Sequence, residues 1–490
     1  MGIKLRDATL DRLPEGVLRP AYDRSSLTAG ILHIGVGNFH RAHQAWYLHR
    51  LLQRGLARDW AIVGAGVRPY DSAQRTKLAA QDHLTTLIEL DPAGTSAEVV
   101  GAMIDYVPVE EGNRPLVARM AEPDIRIVSL TVTEGGYYAD PATKGFDASH
   151  PDILHDAERP GAPRTAFGAM VAALKIRRES GTGPFAGLCC DNLLGNGAVL
   201  RRTVASLARL SDPELADWIE DSCSFPNSMV DCIVPATGDV ELELSRKLGI
   251  DDAVPVAHEN FRQWVIEDDF CRGRPDWDLA GATFSDDVRA HEAQKIRILN
   301  AGHQMLANAG EALHIETISE AMANRSIRAM FRKILLEEVA PHVASAGGTT
   351  SAQYVDLVDR RFANSAIKDT VRRVAFDGAS RHAGFLLPTI RDALASDAPV
   401  EGLALAEALW ARMCEGSRED GSEIAPNDPA WDELGKAASR AKENPGAWLE
   451  LRSVYGDLAD ARRFARAFDR SLRAIWSEGV TATIDGYLAT

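Results

Sequence analysis

Four polar side chains that could perform acid–base chemistry lie on one predicted helix, residues 290–310 of a 490-residue chain. With Lys295 set to 0° and about 100° per residue, Glu292 lies at about 60°, His303 at about 80° and Asn300 at about 140°. A core-facing helix usually gives such an arc to apolar residues. The pattern therefore predicts a catalytic face, with an ordinary solvated helix face as the alternative.

This set of groups suits hydride transfer between an alcohol and a ketone without a metal. A base must remove the hydroxyl proton as the hydride leaves carbon, and a lysine can serve when burial lowers its pKa. Asparagine amides can donate to the alkoxide-like oxygen that develops. A histidine can orient the substrate oxygen, so each residue type has a use in one reaction.

Apolar runs in the first half of the chain predict the elements that would carry a cofactor. The runs are 31–34, 60–67, 125–133 and 185–190. Such runs, separated by helical patterns, predict a parallel sheet with helices on both faces. From about Glu292 onward helical periodicity dominates, as in Phe464, Phe468, Leu472 and Ile475. We therefore predict two domains, 1–285 and 286–490.

A glycine-rich turn follows the first predicted strand, and a helical pattern begins at once. In that context glycines let the backbone approach a pyrophosphate, and the helix N-terminus supplies N–H groups. His40 replaces the third glycine of the fingerprint, so an ordinary tight turn is the alternative. The candidate cofactor-binding residues here are Gly35, Val36, Gly37, Asn38, Phe39, His40 and Arg41.

Asp71 lies just beyond the second predicted strand, which ends at Gly64-Ala65-Gly66. A carboxylate there can accept hydrogen bonds from ribose hydroxyls and repel a 2′-phosphate, which favours NAD over NADP. The spacing of 36 residues from Gly35 exceeds the usual value of about 20. Arg68 could instead attract a phosphate, and Asp71 could be a simple helix N-cap.

Composition excludes several classes of function. Lys and Arg number 54 against 70 Asp and Glu, a net charge of −16, which argues against nucleic-acid and polybasic membrane binding. No run of about 18 apolar residues and no signal-peptide core occurs. The six cysteines lack metal or disulfide spacing, and no ligand set accompanies His40 and His43, so no metal is expected. We expect an acidic cytoplasmic protein.

Several segments together resemble the polyol-specific long-chain dehydrogenases, the family of the mannitol dehydrogenases. The segments are 35–44, 131–137, 190–192, 224–227, 229–231 and 263–268, together with Lys295, Asn300 and His303. The resemblance implies an α/β fold, with a Rossmann-type N-terminal domain, a mostly α-helical C-terminal domain and an active site between them. It also implies NAD(P)-dependent, zinc-independent oxidation of a secondary alcohol by a monomer or small homo-oligomer.

The resemblance assigns roles to individual residues. Lys295 matches the general base, Asn192 and Asn300 the oxyanion-stabilising pair, His303 the substrate-positioning histidine, and Glu292 a glutamate linked to proton exit. At the cofactor it implies Asp71, Thr133 and Glu134, and at the substrate Asp231, Arg373 and Arg381.

Four positions depart from the family pattern. Ala301 and Gly302 stand where members commonly have Gly-Ser or Ser-Ser, so a small hydroxyl is lost. Tyr70 replaces a second acid of some NAD-preferring members, and Arg381 replaces a lysine. The cofactor expected is nevertheless NAD.

The leading hypothesis is the interconversion of D-mannitol and D-fructose. A sugar-acid (fructuronate) reductase is an alternative, with Arg373 and Arg381 as cations for a carboxylate. D-Arabinitol 4-dehydrogenase is another, because 44–50 and Tyr137-Tyr138 look like that branch. A catalytically silent NAD-binding sensor is the remote alternative, since a sensor would not need a buried base. The acidic charge favours a neutral polyol over a uronate.

Overall fold

The computed structural model describes residues 2–138 and 145–490. The chain divides into two compact units, 1–289 and 290–490. This division lies next to the boundary predicted at residue 285.

The first unit contains all the strands of the described residues. They are β1 (Ile3–Lys4), β2 (Val17–Leu18), β3 (Ala29–Ile34), β4 (Ala61–Ala65), β5 (Thr85–Asp91), β6 (Gly94–Val100), β7 (Met103–Tyr106), β8 (Ile127–Leu130), β9 (Ala186–Cys189), β10 (Ser228–Asp231), β11 (Ile250–Asp251), β12 (Val256–Glu259), β13 (Gln263–Ile266) and β14 (Thr283–Phe284).

The central sheet of the described part is parallel throughout, with strand order β7-β4-β3-β8-β9. Successive side chains point to opposite faces, as a strand requires. Leu32 and Val128 pack into one apolar cluster, whereas Ile31 and Ile127 pack into the cluster on the other side. The four strands predicted from apolar runs are therefore present, and both faces of the sheet are covered as expected.

The first unit also contains helices, several of which cover this sheet. They are α1 (Asn38–Ala42), α2 (Gln44–Gln53), α3 (Asp71–Ala79), α4 (Arg114–Ala121), α5 (Pro151–Glu158), α6 (Ala166–Ser180), α7 (Asn196–Ser211), α8 (Pro213–Ser222) and α9 (Asp239–Lys247). Among the described segments, 3₁₀ turns occupy Asp7–Arg12, Arg24–Ser26, Glu111–Asn113, Glu134–Tyr137, Trp277–Ala280, Ala340–His342 and Gly456–Asp460.

Smaller sheets accompany the central one. A second sheet has the order β12-β5-β6-β2 and contains the antiparallel hairpin of β5 and β6. A third joins β10, β13 and β14, and β1 pairs with β11. The apolar-run analysis did not predict these strands, because several are only two to four residues long.

The second unit is helical in its described residues, apart from isolated bridges. Its helices are α10 (Val288–Gln294, which spans the division), α11 (Ala301–Ala312), α12 (Ile318–Ala323), α13 (Arg325–Ile334), α14 (Ser351–Phe362), α15 (Val371–Val374), α16 (Gly378–Phe385), α17 (Leu387–Ala395), α18 (Glu401–Cys414), α19 (Trp431–Ala441), α20 (Gly446–Leu449), α21 (Arg452–Tyr455), α22 (Arg462–Glu478) and α23 (Val480–Leu488). The amphipathic helix predicted around Phe464 and Ile475 is α22, and both side chains are buried.

The segment that carries the predicted catalytic residues is not one continuous α-helix. Residues Lys295–Asn300 form a π-helix between α10 and α11, and a second π-helix spans Leu335–Val339. The α-helical angles predicted above are therefore wrong for this segment. A π-helix closes its hydrogen bonds at i+5 rather than i+4, so Asn300 lies much nearer to the face of Lys295 than an α-helix would allow.

Candidate active site

A cavity of about 330 Å³ opens at the carboxyl ends of β3, β4 and β8 in the first unit. This is the edge at which open parallel sheets bind nucleotides. Its lining includes Gly35, Val36, Gly37, Val67, Arg68, Tyr70, Asp71, Gln74, Tyr106, Thr131, Thr133 and Tyr138.

The glycine turn forms one wall of this cavity, and its conformation explains the residue type. Gly35 has a φ of +94°, and a Cβ there would lie 2.1 Å from the carbonyl oxygen of Thr131. At Gly37 the nearest such atom is 3.9 Å away, so that position is open. Gly35 is therefore required by the fold, whereas Gly37 leaves space beside the cavity for a ligand's phosphates.

Two side chains, of which His33 is buried, hold the Gly35 carbonyl. The Thr131 hydroxyl donates to it at 2.6 Å, and His33 Nε2 lies 3.2 Å away. Burial lowers the pKa of His33 to about 3, so the ring is neutral. Because a carbonyl only accepts, Nε2 carries the proton and Nδ1 accepts from the Ser129 hydroxyl at 2.8 Å.

Asp71 shapes the loop that follows β4. Its Oδ2 accepts the backbone N–H groups of Val67 and Arg68, both at 2.9 Å. A Cβ on Gly66 would lie 2.3 Å from the Asp71 Cβ, so the loop needs glycine there. Asp71 is the first residue of α3 and lines the cavity, which is compatible with the ribose contact predicted for it.

Thr133 has a φ of +69°, a rare conformation for a β-branched residue. The Asp191 carboxylate, which is buried, accepts its N–H at 2.9 Å and that of Val132 at 3.0 Å. The Tyr137 hydroxyl donates to the same carboxylate at 2.6 Å. Asp191 therefore fixes the backbone at this end of β8, next to the cavity.

The side chains of the other predicted cofactor residues lie behind the turn rather than along the cavity. His40 is 1 % exposed and stacks on His33 with ring centroids 3.4 Å apart. Arg41 is 2 % exposed; its guanidinium donates to the Val254 carbonyl and to Asn38 Oδ1. Both side chains are thus engaged inside the unit, and a cofactor contact at these two positions would use backbone N–H groups.

Asn38 and Phe39 also lie outside this cavity lining. The Asn38 amide donates to the Pro235 carbonyl and the Thr237 hydroxyl, both at 2.9 Å, and so links the turn to the 235–237 loop. The side chain of Glu134 lies outside the described part of the structure, and its predicted role stays a prediction.

Two further predicted residues belong to strand ends of the first unit. Asn192 follows β9 directly after Asp191 and is exposed. Asp231 is the last residue of β10 and is 5 % exposed.

In the second unit the predicted base is buried. Lys295 is 8 % exposed and Glu292 is 4 % exposed. Neither long polar side chain is solvated, so the alternative of an ordinary solvated helix face is excluded. Buried ionisable groups of this kind are concentrated at functional sites.

His303 lies on α11, with its side chain 12 % exposed and stacked on Phe362 at a centroid distance of 3.8 Å. Burial, together with the positive charges of Arg373, Arg361, Arg381 and Lys295, holds the pKa of His303 well below its usual value. The imidazole is therefore neutral near pH 7 and offers one donor and one acceptor.

A buried aspartate, not predicted from the sequence, organises the cations near His303. Asp369 is 6 % exposed, and its Oδ1 accepts from Arg373 Nε at 2.8 Å and Nη2 at 2.7 Å. Its Oδ2 lies 3.7 Å from His303 Nε2. Arg381 donates from Nη1 to the Val374 carbonyl at 2.6 Å.

Gly302 explains one departure from the family pattern. A Cβ at this position would lie 2.6 Å from Phe331 Cε2, so the close approach of α11 and α13 excludes a serine without rearrangement. The lost hydroxyl is a consequence of packing in this chain.

Asp191 was missed because its partners are distant in sequence; the Thr133 N–H, for example, donates to it from 58 residues away. His33 and Asp369 contact residues two and four positions away, but they belong to no motif that singles them out. Among residues 2–138 and 145–490, no group of three or more His, Cys, Asp or Glu side chains could hold a metal ion. No helix in this described portion is long and apolar enough to cross a membrane.

A parallel dinucleotide-binding sheet in one unit and a buried lysine near a neutral histidine in the other define a nicotinamide-dependent oxidoreductase. Residues 29–279 match the mannitol dehydrogenase Rossmann domain, and residues 287–476 match the mannitol dehydrogenase C-terminal domain. The chain belongs to the mannitol dehydrogenase family and is an NAD-dependent polyol dehydrogenase.

Individual relatives agree with this assignment. The chain is 50 % identical to a mannitol 2-dehydrogenase of Cereibacter sphaeroides, over 97 % of this chain and 100 % of the relative. It is 38 % identical to that of Pyricularia oryzae, over 96 % and 95 %. The Pseudomonas fluorescens mannitol 2-dehydrogenase, solved as a ternary complex with NAD and D-mannitol, superposes with a TM-score of 0.90 at 38 % identity, covering all of both chains.

A second solved structure, a D-sorbitol dehydrogenase in substrate-free form, gives a TM-score of 0.91 at 34 % identity, covering 98 % of this chain and 100 % of that one. The predicted family, fold class and NAD cofactor are thus confirmed. The individual site residues stay predictions.

Proposed function

We propose that this NAD-dependent polyol dehydrogenase interconverts D-mannitol and D-fructose, with Lys295 as general base. The observation that carries the proposal is the buried Lys295 on a π-helical turn, close to a neutral His303. The relatives named above are mannitol 2-dehydrogenases, which supports this substrate. The overall reaction converts a secondary alcohol and NAD⁺ to a ketone, NADH and a proton.

The cavity residues fit the cofactor. Gly37 leaves room for phosphates. The carboxylate of Asp71, which lines the cavity, can accept hydrogen bonds from ribose hydroxyls. When bound, NAD⁺ accepts the hydride. Thr133, whose backbone is fixed by Asp191, would line the cofactor along the end of β8.

Lys295 would take the proton of the reacting hydroxyl. Burial disfavours the charged form of a lysine and so favours the neutral amine, which is the form that can act as a base. Asn300, one π-helical turn away, would donate its amide to the developing oxyanion, together with Asn192. Glu292, buried one turn before Lys295, would carry the proton onward.

His303 would position the substrate as a neutral ring. A neutral imidazole can donate to one hydroxyl oxygen and accept from a hydroxyl or ammonium group, and it adds no charge to the site. Asp231 and Arg373 would contact the remaining hydroxyls of the polyol.

The pairing of Arg373 with Asp369 favours a neutral polyol over a sugar acid. Both Nε and Nη2 of Arg373 face the Asp369 carboxylate, so much of its positive charge is already balanced. A uronate carboxylate would need a cation without such a partner.

The test is NADH formation from D-mannitol, D-arabinitol, D-sorbitol and an aldonate, with ketose and fructuronate reduction in the reverse direction and NADP alongside. The proposal expects the highest kcat/KM for D-mannitol and D-fructose. A higher kcat/KM for arabinitol or fructuronate would assign one of the alternative activities. Binding of NADH without turnover of any of these compounds would favour the alternative of a catalytically silent NAD-binding sensor.

Zinc independence is part of the same proposal. Dialysis against a chelator followed by metal analysis should leave kcat unchanged in metal-free enzyme; loss of activity that zinc restores would overturn it. The cytoplasmic location, the monomeric or small oligomeric state, the absence of nucleic-acid binding and the domain limits 1–285 and 286–490 are likewise predictions.

A further inference from the structure

Arg68 presents a positive charge at the mouth of the cofactor cavity. It follows β4 at the position where the loop turns into α3, and its side chain is 39 % exposed. Three residues further on, Asp71 lines the same cavity with a negative charge. The adenosine end of the cavity therefore contains two groups with opposite preferences for a 2′-phosphate.

Asp152 and Tyr138 restrain this arginine. Asp152 Oδ2 lies 3.4 Å from both Nη1 and Nη2 of Arg68. The Tyr138 hydroxyl lies 3.1 Å from Nη2 and 3.4 Å from the same carboxylate oxygen. Tyr138 lines the cavity whereas Asp152 does not. The contacts with these two residues therefore hold the guanidinium against the wall of the cavity rather than at its centre.

The geometry of this contact is weak. Both guanidinium nitrogens share a single carboxylate oxygen at 3.4 Å, rather than forming two parallel short bonds. Asp152 is 24 % exposed. Such exposed pairs are worth about 0.2–1 kcal/mol, so one substitution should release Arg68 without unfolding the unit.

We propose that Asp152 and Tyr138 hold Arg68 away from the cofactor's adenosine ribose, and that this restraint, added to Asp71, sets the preference for NAD over NADP. Once Asp152 no longer neutralises it, the guanidinium can pair with a 2′-phosphate. Arg68 then attracts a 2′-phosphate that Asp71 repels, and the balance between the two charges sets the cofactor preference. This inference rests on NAD dependence and not on which polyol is oxidised.

The test measures binding of NADH and NADPH to the full-length protein by titration calorimetry, without any polyol. In Asp152→Asn the ratio of NADPH to NADH affinity should rise about 1.5- to fivefold over the unchanged protein. Asp152→Asn keeps the size of the side chain, and NADH affinity should change less than twofold. The ratio of kcat/KM with the two cofactors should rise in parallel.

Two further variants separate release of Arg68 from a general loss of negative charge. Glu158→Gln removes the same charge from an exposed position on the same helix, α5, and should leave the ratio unchanged. Arg68→Gln combined with Asp152→Asn should abolish the gain. Tyr138→Phe should give a smaller gain, because the carboxylate remains.

An unchanged ratio in Asp152→Asn would overturn the proposal, as would a gain that persists without Arg68 or appears equally in Glu158→Gln. Because binding is measured without substrate, failure here is distinguishable from failure of the mannitol proposal.

Discussion

The cofactor cavity of the first unit and the catalytic segment of the second are built in different ways. Around the cavity the chemical groups are mainly backbone atoms, and side chains hold them: Asp191 accepts the N–H of Thr133, and the Thr131 hydroxyl donates to the Gly35 carbonyl. In the second unit the proposed reagents are side chains, and a π-helical turn brings Lys295 and Asn300 towards one face.

This difference predicts how each region fails. A cavity formed mainly by backbone atoms should be disrupted by a Cβ added at a glycine or by loss of a carboxylate that holds the backbone. Such substitutions should lower the stability of the fold and the affinity for the cofactor. A side-chain-built site should lose turnover when one functional group is removed, with little effect on folding.

The largest effect should come from Lys295→Met. Removing a general base should lower kcat by about 10²–10⁴-fold, while NADH affinity and the melting temperature stay close to those of the unchanged protein. Lys436→Met, at an exposed lysine of the same unit, should keep full turnover. Near-normal turnover of Lys295→Met would remove the lysine base from the mechanism.

A matched pair of glycine substitutions tests the backbone-built region. Gly35→Ala should destabilise the fold by about 2–4 kcal/mol, because φ is +94° and the new Cβ meets Thr131 at 2.1 Å. Gly37→Ala should leave the melting temperature within a few degrees but weaken NADH binding, because its Cβ enters open space next to the cavity. Denaturant unfolding and NADH titration separate these outcomes; equal destabilisation by both would contradict the assigned roles.

Gly302→Ser restores the residue type common in the family and should nevertheless cost about 1–3 kcal/mol of stability. Its Cβ would meet Phe331 at 2.6 Å. Adding Phe331→Leu should recover part of the loss, which thermal melts of the single and double variants can measure. If Gly302→Ser proves as stable as the unchanged protein, packing does not explain this departure.

The smallest effect per residue concerns acid sensitivity. In the first unit burial lowers the pKa of His33 and of His258 to about 3, and that of His40 well below normal; in the second unit the same holds for His303. Since the folded pKa is below the unfolded value of about 6.5, stability is full above pH 6.5 and falls as pH decreases, by at most ~1.4 kcal/mol per pH unit per histidine.

Hydrogen exchange measured between pH 7 and 5 should therefore show a steeper loss of protection in the first unit than in the second. Buried carboxyls reinforce the contrast, because burial raises the pKa of Asp369 and Glu338, both in the second unit. When the folded pKa of a carboxyl is raised, the folded state becomes more stable as pH falls from the folded pKa towards the unfolded pKa. Parallel losses in both units would show that other groups control the acid response.

The sequence predicted the regular parts of the molecule well, for physical reasons. A strand buried on both faces must be apolar along its length, so β3, β4, β8 and β9 were visible as runs. Amphipathic α22 was visible in the spacing of Phe464, Phe468, Leu472 and Ile475. The short strands and the hairpin β5–β6 were not predicted, because their burial differs from residue to residue.

The π-helical turn escaped prediction because Ile296, Ile298 and Leu299 are all buried and suit either helix type. Contacts between distant residues also escaped. Arg68 and Asp152, for example, are 84 residues apart. Asp71 accepts two N–H groups of its own loop, and its contact with the ribose stays a prediction. Arg41 was predicted to bind the cofactor from its position in the turn alone, whereas its guanidinium donates a hydrogen bond to Asn38 Oδ1 inside the unit.

The hydrogen bonds of Asp71 constrain how this lineage could change its cofactor over evolutionary time. Because Oδ2 accepts the N–H groups of Val67 and Arg68, a substitution at Asp71 that removes this oxygen also removes the hydrogen bonds that hold the loop. Substitution at Asp152 carries no such penalty. We therefore expect a change of cofactor to begin with a substitution at position 152. A substitution at position 71 would follow only after another residue had come to support the loop. This dependence is epistasis, and it arises because one carboxylate both supports the loop and faces the cofactor cavity.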